Sequence, residues 1–122
     1  MHIPPEQMEI YKRTARARMQ AEKERCAERR EQAWALARQT ADLLRNDFGV
    51  ARVVVFGSLV HEGRFTLYSD VDLAAWGLTS ANWLRAMSAV HGLSGDIELN
   101  LVDVATCSPA LLAAIEKEGN EI

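Results

Sequence analysis

Helix-breaking residues are missing from the first third of this chain. Pro4 and Pro5 stand together near its start, the only other proline is Pro109, and neither proline nor glycine occurs from residue 6 to residue 48. Tight turns are thereby excluded from that stretch, and the abundance of good helix formers predicts helix over residues 4–48, as one helix or two in tandem. Gly49 is its stop. Cysteine is also scarce: Cys26 and Cys107 lie far apart with no CxxC or histidine partner, which excludes a disulfide framework and a zinc site and leaves reduced, structurally minor thiols. No apolar run approaches the roughly 20 residues of a membrane span, and the N-terminus lacks a signal peptide's apolar stretch, so a cytoplasmic location is expected. A net charge of −3 argues against a general nucleic-acid binder.

What is present describes one modest globular domain: 122 residues, 48% hydrophobic and 25% charged. The helical stretch divides in two. Trp34, Ala37, Ala41, Leu44 and Phe48 recur at three- and four-residue spacing and predict a stripe packed on a sheet. Residues 6–32 are far more charged, with Met8, Tyr11, Ala15, Met19 and Cys26 as their only stripe. Through Phe48 there are 10 Lys and Arg against 8 Asp and Glu, net +2; the remainder carries 4 against 9, net −5. The expected division is therefore a helical segment 1–48, whose first half protrudes, and a core 49–122. The protruding half is expected to contact another chain, by self-association or by holding a partner.

The core is organised around residues 53–73. Val53-Val54-Val55-Phe56 is too short for a core helix and reads as a strand buried on both faces. Gly57-Ser58 stops it; the glycine admits a ligand close to the backbone, and the serine suits the start of a short helix whose free N–H groups would face an anion. After an eleven-residue gap comes Asp70-Val71-Asp72-Leu73. On a strand, the period of two places both carboxylates on one face. Adjacent carboxylates repel, so a cation between them is expected, and Mg²⁺ is the natural one. Beside a phosphate-holding turn, the pair suggests in-line attack on phosphorus, that is, nucleotidyl transfer.

Downstream, Ala74-Ala75-Trp76 continues the acidic strand to Gly77. Thr79 or Ser80 caps a packing helix through Trp83, Leu84, Met87 and Val90, turned off at His91-Gly92. Trp76 and Trp83 read as core aromatics, with nucleobase stacking as the alternative. Residues 96–103 alternate as a strand with Asp96, Glu98 and Asn100 on one face. Ser108-Pro109 opens a short final helix with Leu111, Leu112 and Ile115 inward and Gly119 at its end. The sum is an α/β (α+β) domain with a small mixed sheet flanked by helices and a long N-terminal helix.

The Gly57-Ser58 turn with its preceding strand, the spacing to Asp70-x-Asp72, and the tail from Leu99 to Gly119 resemble the minimal nucleotidyltransferase (MNT) branch of the DNA polymerase β-type nucleotidyltransferase superfamily. The resemblance runs from about Val53 to the C-terminus. It implies the nucleotidyltransferase fold, ATP as substrate with Mg²⁺, nucleotide contacts from Gly57, Ser58 and Ser69, and catalytic and metal-binding roles for Asp70 and Asp72; Glu98 is expected as the third catalytic and metal-binding acid, with Asn100 as a further metal ligand. It also implies an antitoxin that transfers AMP to a HEPN-domain ribonuclease toxin, with no membrane and no direct nucleic-acid partner. Two departures stand out. Where relatives carry Ala-Arg-Gly after the GS-x, this chain has Val60-His61-Glu62-Gly63, leaving His61 or Arg64 to replace the cation. Asn100 occupies the position of the usual third carboxylate and cannot act as a base. Either Glu98, one pleat away, supplies that acid, or catalysis is weakened and the chain acts by binding. A small-molecule nucleotidyltransferase is a further alternative.

Overall fold

The structure is a computed structural model and describes residues 2–122; Met1 lies outside it. One uninterrupted helix, α1 (Pro5–Phe48), takes up the whole predicted helical stretch, with Pro5 in its first turn. At 1.5 Å per residue its 44 residues extend about 66 Å. It ends as predicted: Gly49 adopts a left-handed conformation and the Val50 N–H bonds back to Leu44 O at 3.2 Å.

The sheet follows. β1 (Arg52–Phe56) and β2 (Val71–Trp76) are its inner strands, flanked by β3 (Leu99–Asp103) and β4 (Asn120–Glu121) in the order β3-β2-β1-β4. β1 is antiparallel to β2 and β4, whereas β2 and β3 are parallel, so the sheet is mixed. A single 3₁₀ turn, Gly57–Val60, leaves β1; α2 (Trp83–Leu93) joins β2 to β3, and α3 (Pro109–Glu118) follows β3.

Both faces of the sheet are covered. Val53, Val55, Val71, Leu73 and Ala75 pack beneath α1 and α2, joining Ala33, Ala37, Ala41, Leu44 and Val90 in one buried cluster. Leu44 alone, fully buried, contributes about 2–3 kcal/mol of apolar burial. On the opposite face Val54 and Ala74 meet Ile115 of α3. The run Val53–Val55 is therefore continuously apolar because both its faces are interior. Asp72 shares its face with Ala74 and so lies on the α3 side.

Three expectations need correction, and one short strand is additional. The strand predicted from Asp96 begins only at Leu99, because the chain from Ser94 to Glu98 is still turning out of α2 and Ser94 Oγ is tied to Ile97 O at 2.8 Å. α2 continues through His91-Gly92 to Leu93 and presents Ala86 and Val90 to the core, leaving Leu84 77% exposed. Thr79 acts one turn early: it exchanges hydrogen bonds with Asn82, the residue at the helix start. β4 was not foreseen; two residues after a helix carry no periodic signal.

Candidate functional site

The site lies where β1 ends against the start of β2. Register pairs Phe56 with Asp72, so the turn at Gly57 stands beside the Asp72 side chain. Gly57 has φ +79°, and a Cβ there would collide with Asp72 Oδ2. Glycine is thus required twice, for its backbone conformation and for the carboxylate against it. The close approach reserved on the sequence for a ligand is made, in the protein itself, by Asp72.

The parallel register sets Asp72 opposite Asn100. Asn100 Nδ2 donates to Asp72 Oδ1 at 3.1 Å and, more weakly, to Asp70 Oδ2 at 3.4 Å. One amide therefore bridges both acids. Partial burial pushes the Asp72 carboxyl above the ordinary range; Asp70's charge adds to the rise, while the Asn100 hydrogen bond opposes it. The pair is where the period-two reading placed it, although Asp70 stands one residue before β2.

Glu98 is exposed and precedes β3, and its carbonyl accepts the Val71 N–H at 2.9 Å. One residue before the pair Val71–Leu99, its backbone stands level with Asp70. Among the described residues no three His, Cys, Asp or Glu side chains converge as a metal site, so Glu98 does not close on the aspartates. Ser58 sits half-buried in the 3₁₀ turn, whose start has no side-chain cap. Ser69 Oγ is used locally, accepting the Thr66 N–H at 2.8 Å and pairing with Thr66 Oγ1 at 3.2 Å. His61 Nε2 lies 3.3 Å from Glu118 Oε2 at the end of α3, and Arg64 is exposed. Trp76 stacks under the Arg52 guanidinium at 4.3 Å, and Trp83 packs on the core.

Three residues of α1 hold the loop beside the site, and two of them, Arg29 and Arg30, have no role in the sequence reading. Arg29 Nη2 donates to Ser69 O at 3.2 Å, Arg30 Nη2 to Leu59 O at 3.3 Å, and Cys26 Sγ to Phe65 O at 3.0 Å. One turn of the helix thus holds the connection between the Gly57-Ser58 turn and Asp70 at three points. The two arginine Nε atoms are buried and, among the described residues, without a partner, a cost that offsets part of what the carbonyl bonds contribute. Their signal was available: Cys26, Arg29 and Arg30 follow the face that buries Ala33 and Ala37.

No family profile and no curated protein sequence matches the chain. Solved structures do. A mutant MntA–HpeT toxin–antitoxin structure aligns at 28% identity over 70% of this chain and 69% of the other, TM-score 0.52. A toxin–antitoxin structure with AMP-PNP aligns at 26% identity over 70% of each, TM-score 0.55. An MNT antitoxin complex with tri-AMPylated HEPN toxin from Shewanella oneidensis, 21% identical over 73% of this chain and 70% of the other, TM-score 0.53, shares the fold. The chain thus shares the nucleotidyltransferase fold of these toxin–antitoxin structures and resembles their minimal nucleotidyltransferase chains.

Proposed function

We propose that this chain is a Mg²⁺-dependent nucleotidyltransferase that transfers AMP from ATP to a partner protein, and that it is the antitoxin of a HEPN ribonuclease toxin. The carrying observation is the juxtaposition of Asp70 and Asp72, bridged by Asn100, with the Gly57-Ser58 turn. The related toxin–antitoxin structures, one with AMP-PNP, support the nucleotide and the class of partner.

The donor set suits Mg²⁺: two carboxylates and an amide give hard oxygen ligands on one side and leave room for water and phosphate. Burial and mutual repulsion also make the Asp70/Asp72 pair costly without a cation. Asp70, Asp72 and Asn100 would hold the ion, which when bound would neutralise charge on the phosphates and make the acceptor hydroxyl more acidic. Turned over, the Asn100 amide offers Oδ1 in place of Nδ2, exchanging a carboxylate-bridging donor for a neutral ligand. The backbone at Gly57-Ser58 holds the phosphates and orients the α-phosphorus. The acceptor oxygen forms the new P–O bond as the bond to pyrophosphate breaks, and Glu98 is assigned the acceptor's proton because Asn100 cannot take it.

A second reading has one observation in its favour. Asn100 stands where a third acid would complete the group, and Glu98 does not close on the pair. On that reading the chain neutralises its toxin by binding alone. Intact-mass spectrometry of the HEPN partner after incubation with this chain, Mg²⁺ and ATP separates the two. Addition of one or more AMP, absent with Asp70→Asn/Asp72→Asn, is the expected result; a stable complex with unchanged partner mass would leave binding alone.

A further inference from the structure

Residues 5–25 of α1 are all exposed, yet their surface is patterned. At 100° per residue, Met8, Ala15, Met19 and Cys26 fall on the same face as the buried Ala33, Ala37 and Leu44. The stripe that packs on the sheet therefore continues beyond it, with Met8 39% and Met19 70% exposed. Along one side of this stripe runs a row of cations, Lys12, Arg16, Lys23 and Arg30, the last three at seven-residue steps. Between α1 and residues 62–67 the stripe deepens into a cavity of about 580 Å³ lined by Met19, Lys23, Cys26, Arg30, Phe65 and Leu67. An adjoining hollow of about 440 Å³ is lined by Arg16, Met19, Gln20 and Lys23.

We infer that this groove is the docking site for an amphipathic helix of a different protein, one that inserts apolar side chains beside Met19 and Phe65 and carries acidic residues along the Arg16–Lys23 edge. Charge decides the occupant. Residues 5–30 hold eight Lys and Arg against five Glu, with four cations and no acid in 12–18. A second copy of α1 laid antiparallel would set cation row against cation row, whereas an acidic helix meets it with opposite charge. A nucleic-acid strand fits poorly, because the groove is floored by Met19, Phe65 and Leu67 and its cations without acids are confined to the Arg16–Lys23 edge. The position also matters. The groove's far wall, residues 62–67, is held to α1 by Cys26 through Phe65 O, and three residues after Leu67 the chain reaches Asp70, so the groove adjoins the loop that leads into the candidate catalytic pair. Docking itself needs no nucleotide, so its failure is distinguishable from failure of the transferase reading.

The test uses the purified full chain and a fluorescein-labelled synthetic helical peptide with leucines at three- and four-residue spacing and a glutamate flank, followed by fluorescence anisotropy at low salt. Its counterparts are the same peptide with a lysine flank and a 20-nucleotide single-stranded RNA. The glutamate peptide should bind, and Arg16→Glu/Lys23→Glu, both exposed positions, should weaken it about tenfold or more while improving the lysine peptide. Met19→Asp should weaken both peptides. Equal affinity for the two peptides, no reversal in the charge-swapped chain, tighter binding of RNA, or sedimentation showing that α1 is covered by a second copy would each overturn the inference.

Discussion

Replacing Gly57 by alanine separates two demands that the site makes on one residue. Alanine at φ +79° costs about 1–2 kcal/mol in the left-handed region. Its Cβ would also overlap Asp72 Oδ2, displacing the carboxylate by about 1 Å before ordinary contact is restored. Gly63 supplies the matched control: its φ is +83°, but nothing lies within 4 Å of an added Cβ. Gly63→Ala should therefore lower stability by the dihedral cost alone. Gly57→Ala should cost about 1 kcal/mol more, a further drop in Tm of roughly 4 °C. The larger contrast is chemical. An error of about 1 Å in a ligand carboxylate should reduce transfer about a hundredfold in Gly57→Ala and leave Gly63→Ala near wild type. Thermal denaturation and single-turnover assays on both variants, with Gly57→Ala/Asp72→Ala to complete a double-mutant cycle, measure each part. Equal stabilities and equal rates for the two alanine variants would refute the claim that Gly57 exists to receive Asp72.

Three further expectations follow from the same geometry. Asn100→Asp replaces a bridging donor with a third carboxylate, so the metal-free chain should lose about 2 kcal/mol in denaturant titrations while Mg²⁺-dependent transfer rises tenfold or more. Because the folded state raises the Asp72 pKa, folding binds the proton more tightly; metal-free stability should fall as pH climbs from the ordinary carboxylate range through that raised value. Asp72→Asn should flatten that slope and raise Tm at neutral pH, as differential scanning calorimetry would read. Arg29→Met and Arg30→Met should each cost about 1.5–3 kcal/mol and speed amide exchange in residues 59–69; unchanged exchange would mean that α1 does not hold this loop.

The parts of the fold legible in the sequence were those written in local patterns. The absence of Gly and Pro defined α1, the apolar run at Val53 defined an inner strand, and Ser108-Pro109 defined α3, whose Ser108 Oγ accepts the Leu111 N–H at 3.1 Å. The Asp70/Asp72 pair was legible because a period of two is fixed by the backbone. What the sequence concealed depends on contacts across the chain. Strand register gives Asn100 to Asp72 and Gly57 to the same carboxylate, and no spacing rule reports either. Arg29 and Arg30 looked like surface charge on a polar helix, yet their partners are loop carbonyls 40 and 29 residues away. Glu98 falls outside the strand, since the turn from Ser94 consumes the residues that alternation had assigned to β3.

The central claim is that Asp70 and Asp72 form a cation site for a nucleotide. Its most direct test is the thermal shift of the full chain on adding Mg²⁺ with a non-hydrolysable ATP analogue, beside Asp70→Asn/Asp72→Asn. A ligand at about 100 times its Kd stabilises the folded state by about 2.7 kcal/mol, which should raise Tm by roughly 10 °C in the wild type and leave the double variant unmoved. An equal rise in both proteins, or none in either, would contradict the account.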